Sequence, residues 1–146
     1  MSTIEKLIRN KARDIWTIAP DDTVYEAIKQ MNDHSVGALP VTAGGKLVGI
    51  ISERDYARKV ILKDRSSKQT RVREIMTTRV FHTFPDQKIE ECMAVMSEHH
   101  IRHLPVLDNE KLVGIISIGD VVKDIISEQQ FKIEQLENTI TWSETY

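Results

Sequence analysis

Apolar residues at Val24, Ala27, Ile28 and Met31 follow the i, i+3, i+4, i+7 spacing of a helix with one buried face, and Thr23 with Glu26 has capping-box spacing at its start. Ile89, Cys92, Met93 and Met96 repeat that stripe further along the chain. Each stripe is preceded by a short extended stretch that ends at a proline, Ile15–Ala19 and Val80–Phe84, and each is followed by two apolar runs. The runs are Leu39–Thr42 and Leu47–Ser52, joined through AGGK, and Leu104–Leu107 and Leu112–Ser117, joined through DNEK. Their lengths and turn residues predict β-hairpins. After Ser52 and Ser117 the pattern becomes helical again, with Tyr56, Ala57, Val60 and Ile61 in one case and Val121, Val122, Ile125 and Ile126 in the other. The predicted unit is β-α-β-β-α, and it occurs twice.

The duplication is visible in the residues themselves. The four prolines stand at positions 20, 40, 85 and 105, two pairs each offset by 65. At that offset Ile15–Ile61 aligns without a gap on Val80–Ile126, and 17 of the 47 pairs are identical. LPV and KLVGIIS recur whole; His34 recurs as His99 and Asp55 as Asp120. Two units are too few for a solenoid, so the pattern predicts two units packed face to face. The chain divides into a first repeat with its N-terminal segment (1–64), a second repeat (65–126) and a C-terminal helical extension (127–146), where Ile133, Leu136 and Ile140 keep helical spacing. The stretch between the repeats, LKDRSSKQTRVRE, loses the apolar periodicity and reads as a linker with some local structure.

Charge nearly cancels, 20 Lys+Arg against 22 Asp+Glu, which excludes a generally basic nucleic-acid-binding surface. The cancellation is uneven. From Arg58 to Arg79 there are eight basic and two acidic residues, so this stretch carries +6 and the remainder −8. It lacks the interleaved aromatics of a single-strand binder, leaving a solvated linker or phosphate neutralisation near a ligand as its two readings. The single cysteine excludes an internal disulfide and a cysteine-rich zinc module. No apolar run approaches the roughly 18 residues of a membrane span, and the charged N-terminus does not resemble a signal peptide, so a cytoplasmic protein is expected.

GIISERD (Gly49–Asp55) and GIISIGD (Gly114–Asp120) are the strongest candidates for chemistry. Each joins a strand to a helix through a serine and sets an aspartate three residues on. Two readings are open: a helix cap, or an anion and ribose site built from N-terminal N–H groups, a hydroxyl and a carboxylate. The stretches before the hairpins differ, VGALPV at Val36–Val41 against IRHLPV at Ile101–Val106. The first leaves room at Gly37 and Ala38, where a ligand can approach closely; the second sets Arg102 and His103 there, which suits phosphate. His99, His100 and His103 do not make a metal set, because His103 enters a predicted strand and no acidic or cysteine ligand adjoins. Cys92 sits on an apolar stripe, and no Walker A, GxGxxG, HExxH or GxSxG motif occurs. No catalytic residue is expected.

These residues together resemble a tandem pair of cystathionine-β-synthase-type (CBS) domains, a Bateman module. SERDYARKVILKDRSSKQTRVREIMT, IRHLPV and SIGDVVKDIISEQ are similar to the small stand-alone tandem-CBS proteins of bacteria and their plant mitochondrial relatives. The resemblance implies an α/β (α+β) fold in which the two units pack through their sheets about a pseudo-two-fold axis. It implies two clefts that take adenosine ligands such as AMP, ADP, ATP, NAD(H) or S-adenosylmethionine derivatives. By resemblance one cleft uses Lys11, Trp16, Val36, Gly37 and Ala38 around the base, Ser117 and Asp120 on ribose and phosphate, and Arg102 on phosphate. The other uses Ile101, Arg102 and His103 with Ser52, Arg54 and Asp55, and the EIMT stretch around Met76 near the base. EKLI at Glu5–Ile8 is the nearest counterpart of EIMT ahead of the first repeat, with a longer spacer. Arg54 against Gly119 makes the clefts unequal, so unequal affinities are expected. The resemblance further implies a non-enzymatic nucleotide sensor, a homodimer, and an unidentified client protein, with thioredoxin-like redox enzymes suggested by the plant relatives. A scaffold that keeps the fold without a ligand is the rival reading, and an enzyme using Asp and His as acid and base the third.

Overall fold

The computed structural model describes residues 2–11 and 14–145, with side chains at 2–9 and 14–138. In the first repeat, α2 (Val24–His34) starts where the Thr23 hydroxyl accepts the Glu26 N–H at 3.2 Å, and ends where Ser35 turns left-handed at φ 54°. It buries Val24, Ala27 and Met31. In the second repeat, α5 (Ile89–His99) buries Ile89, Cys92 and Met96 and ends at left-handed His100, φ 55°. Thus the apolar stripes seen in sequence are the buried helix faces, except that Met93 stays exposed.

Each helix packs on a two-stranded antiparallel sheet, β1 (Ala38–Ala43) with β2 (Lys46–Ser52) and β3 (His103–Asp108) with β4 (Lys111–Ser117). Registers match residue for residue: Ala38 faces Ser52, His103 faces Ser117, and a bulge follows Val41 and Val106. The turns need positive φ at two successive positions. Gly44 (58°) and Gly45 (79°) supply it in one hairpin, and Asn109 (49°) and Glu110 (66°) in the other. The expected extra strands ahead of the helices shrink to single parallel bridges, Ile18 with Val41 and Thr83 with Val106. Ile18 donates to the Pro40 carbonyl at 3.1 Å and accepts from Thr42 at 3.0 Å, after which Pro20 turns the chain away.

The linker reading of the inter-repeat stretch needs correction. Its end folds as α4 (Val72–Ile75), and Thr70, Val72 and Ile75 are buried. Val72 and Ile75 complete the core of the first repeat, with Val24, Met31, Leu39, Val41 and Ile51. In exchange α1 (Ile4–Lys11), from the chain's start, places Ile4 and Leu7 in the core of the second repeat, with Ile89, Met96, Leu104, Val106 and Ile116. The backbone docking is equivalent: Ile4 N–H donates to the Gln87 carbonyl (2.9 Å) and Val72 N–H to that of Asp22 (2.8 Å). This sets Ile8, not Leu7, opposite Met76, so the EKLI match to EIMT is off by one residue. Met76 presses so closely on β2 that a Cβ at Gly49 would lie 2.8 Å from its sulfur; Ile8 does the same over Gly114 at 3.3 Å. Each repeat therefore needs a segment that precedes the other, while β2 lies against β4 and joins the halves.

The +6 stretch is largely neutralised locally. Arg71 and Arg73 meet Asp21, Arg65 meets Glu74 at 2.5 Å, and Lys68 lies 4.9 Å over the Tyr25 ring. The Arg71 N–H, donated to the Glu74 carboxylate at 2.6 Å and aided by Arg65, holds Glu74 below the usual carboxylate range. The C-terminal helix α6 (Ile118–Thr145) starts at the second junction and runs through the extension without a break. No helix among the described residues is long and apolar enough to cross a membrane.

Candidate functional site: a cleft between the repeats

At the first junction β2 ends at Ser52 and α3 (Glu53–Lys59) begins. The Ser52 hydroxyl accepts the Asp55 N–H at 3.2 Å, and Asp55 Oδ2 accepts the Ser52 N–H at 3.0 Å and its hydroxyl at 3.1 Å. Asp55 Oδ1 pairs with Lys59 Nζ at 3.0 Å, and that ammonium also donates to the Ile75 carbonyl at 2.8 Å. The Gly37 carbonyl takes the Glu53 N–H at 3.0 Å, tying the small-residue wall to the helix start. At the second junction the Ser117 N–H donates to Asp120 Oδ2 (2.9 Å), the Asp120 N–H to the Ser117 hydroxyl (3.1 Å), and Ile118 N–H to the Arg102 carbonyl (2.8 Å). Both junctions are helix caps, each built from a serine hydroxyl and an aspartate three residues on.

The first junction opens on a cavity of about 300 Å³. Ser52, Glu53, Arg54 and Asp55 form one side. His100, Ile101, Arg102 and His103 of the second repeat form the other, and Arg79, Val80 and Phe81 close an end. The walls meet where the His103 ring packs on Gly37; a Cβ there would lie 3.3 Å from the imidazole. Arg54 Nη1 donates to the His100 carbonyl at 3.2 Å, clamping one repeat to the other across the cleft. Phe81 is stacked on His99, ring centroids 4.1 Å apart.

Six residues singled out in sequence, Ser52, Arg54, Asp55, Ile101, Arg102 and His103, thus line one cavity, and Gly37 joins them from the set assigned to the other cleft. Met76 does not line it; it packs on the first core, and its neighbour Thr77 reaches the cavity instead. Ala38 is buried, 2% exposed, and Val36 packs against the first core; neither lines this cavity. Trp16 is stacked face to face on His34 at 3.6 Å. Ser117, Gly119 and Asp120 stand at the second junction, away from this cavity; the side chain of Lys11 lies outside the described residues. Sequence reasoning missed Arg79 and Phe81 as lining residues. The offset of 65 contained the signal, since Arg79 aligns with Asp14 and Phe81 with Trp16. Of the +6 stretch only Lys59, through Asp55, and Arg79 stand at the cleft.

The pseudo-symmetric positions reverse the charge. Arg54 and Lys59 at the first junction correspond to Gly119 and Asp124 at the second. Asp124 Oδ2 is buried without a hydrogen-bond partner, where Lys59 has two acceptors. The repeated fold with its two Ser/Asp junctions is matched by the family model described as the CBS domain, at residues 8–62 and 72–127. The chain belongs to the CBS-domain family. It is 39% identical over 145 residues to the mitochondrial CBS domain-containing protein CBSX3 of Arabidopsis thaliana, covering 92% of this chain and 70% of the relative. A CBS-domain structure from Burkholderia ambifaria shares 51% identity with a TM-score of 0.84, over 88% of this chain and 96% of that one. The CBS pair of protein MJ0100, in complex with 5′-methylthioadenosine and S-adenosyl-L-methionine, aligns at 25% identity and a TM-score of 0.78, over 88% and 98% of the two chains. This chain is therefore a CBS pair.

Proposed function

We propose that this CBS pair is a cytosolic, non-enzymatic sensor, a homodimer that binds one phosphorylated adenosine ligand per chain in the cleft of Arg54, Arg79 and Arg102 and passes its occupancy to a client protein. The observation that carries the reading is the convergence of three guanidiniums, contributed by both repeats, on a cavity that also holds the Ser52/Asp55 junction. Guanidiniums suit phosphate oxygens, and Asp55 Oδ1 can accept from a ribose hydroxyl while held by Lys59. Ligand bound there touches both repeats and so favours one packing of the halves over another, which is what a regulatory module requires. The adenosyl ligands of the MJ0100 pair support the chemical class. The arginines favour AMP, ADP, ATP or NAD(H) over cationic S-adenosylmethionine. The second junction, with Gly119 and Asp124 in place of Arg54 and Lys59, suits phosphate less.

Thermal unfolding of the purified protein with each ligand tests the reading. At about 100 times its dissociation constant a ligand contributes about 2.7 kcal/mol, or roughly 5–11 °C for a domain of this size. Adenosine phosphates are expected to shift the midpoint and S-adenosylmethionine to leave it unmoved, with calorimetry giving one site per chain. No shift with any phosphate at millimolar concentration would sink the proposal. A scaffold reading draws support from the reciprocal Ser52/Asp55 capping box, which is complete without ligand. Asp55→Asn separates the two, since a scaffold loses stability alone and a sensor also loses its ligand response.

A further inference from the structure

The family model ends at residue 127, yet α6 continues to Thr145. Its first turns belong to the module: Val121 is buried, Ile118 and Ile125 pack on the second core, and the Ser2 hydroxyl donates to Glu128 at 3.3 Å. Beyond that the helix carries an apolar stripe into solvent. Val122 is 43% exposed, Ile126 54%, Ile133 52% and Leu136 64%. Ile126, Ile133 and, in sequence, Ile140 are seven apart; Val122, Gln129 and Leu136 form a second seven-residue series four positions ahead of the first. These are the a and d positions of a coiled coil, with β-branched isoleucine at a and Val122, Gln129 and Leu136 at d; Ile133 at a beside Leu136 at d is the combination that favours two parallel strands. Charges flanking the seam agree. Lys132, at g, stands opposite Glu137, at e of the following heptad, only when an identical helix runs parallel and in register; an antiparallel helix loses the pair.

We propose that residues 122–140 of two copies of this chain pair as a parallel, in-register coiled coil. This deepens the homodimer of the proposed function by naming its seam, and it does not depend on nucleotide binding. The occupant of the stripe is a second copy because the g and e charges complement the helix that bears them. The seam is continuous with the module through Val122 and Ile126, so it sets the two modules side by side at one end of a shared helix pair.

Sedimentation equilibrium of the full chain tests this. The wild type is expected at twice 16.8 kDa, and the Ile133→Asp/Leu136→Asp variant as a monomer with an unchanged thermal midpoint for its module, since neither side chain reaches a core. Lys132→Glu is expected to weaken the dimer about ten-fold, and Lys132→Glu/Glu137→Lys to restore it. A monomeric wild type overturns both the seam and the homodimer, whatever else binds the stripe. A dimer that survives Ile133→Asp/Leu136→Asp overturns the seam alone. Failure of the charge exchange to restore the dimer overturns the parallel register. A chain that dimerises as described but binds no nucleotide refutes the sensor and leaves the seam standing.

Discussion

The two repeats share hairpin register, helix ends and Ser/Asp caps, yet they surround their junctions with opposite charge. Arg54 and Lys59 of one become Gly119 and Asp124 of the other, while the buried sheet positions Leu39 with Leu104, Val41 with Val106 and Ile51 with Ile116 are kept. The difference teaches that the fold and the site are written in separate residues. Burial holds the first set nearly constant because interiors are close-packed, whereas residues at the rim of a cleft can change charge at little cost to stability.

The shared part is the more expensive to break. Ile75→Ala removes a buried side chain of the first core and Leu7→Ala its exchanged counterpart in the second, so each is expected to cost about 2–5 kcal/mol in urea unfolding. A mutation in either segment that left stability unchanged would refute the exchange. The unshared part is tested by making the clefts alike. Arg54→Gly installs the residue of the second junction at the first, and Arg79→Ala removes a second arginine from the cleft. With about 1.5–3 kcal/mol per charged hydrogen bond, each change should weaken ATP binding about ten- to hundred-fold by calorimetry. The reverse exchange, Gly119→Arg with Asp124→Lys, is sterically open at Gly119, where a Cβ meets nothing nearer than the Ser117 hydroxyl at 3.6 Å. A second site per chain is the expected result.

Smaller effects sharpen the same contrast. Ser52→Ala and Ser117→Ala each remove a cap worth about 0.5–2 kcal/mol. Ser52→Ala is expected to cost more, because its hydroxyl also donates to Asp55 Oδ2 at 3.1 Å. At the hairpin tips, Glu110 holds φ 66° where the first repeat has Gly45 at 79°. Glu110→Gly relieves a left-handed residue and should stabilise the chain by about 1 kcal/mol, read as a raised unfolding midpoint. Glu74 adds a pH effect of known sign: its folded pKa is lowered, so its contribution is present above the ordinary carboxylate range. Stability should fall as pH drops through the lowered value, and Glu74→Gln should remove that dependence.

Much of this was legible in sequence where a local pattern suffices. The 3.6-residue stripes gave α2 and α5, the turn residues gave the hairpins, and the offset of 65 gave the pseudo-symmetry and the Ser/Asp junctions. Arg79 and Phe81 escaped because they lie 24 and 26 residues beyond Asp55, and the backbone bridge of Thr77 to Ile50 returns their segment to it.

The linker was misjudged for a related reason. Periodicity cannot identify a four-residue helix such as α4, whose two buried residues complete no full turn pattern of their own. The duplication, the elements and the caps were determined by the chain itself, because each depends on residues a few positions apart. Which segment completes which core, and which junction gains the arginines, was decided only by tertiary structure, because burial and Coulomb interactions act between residues near in space however far apart they lie along the chain.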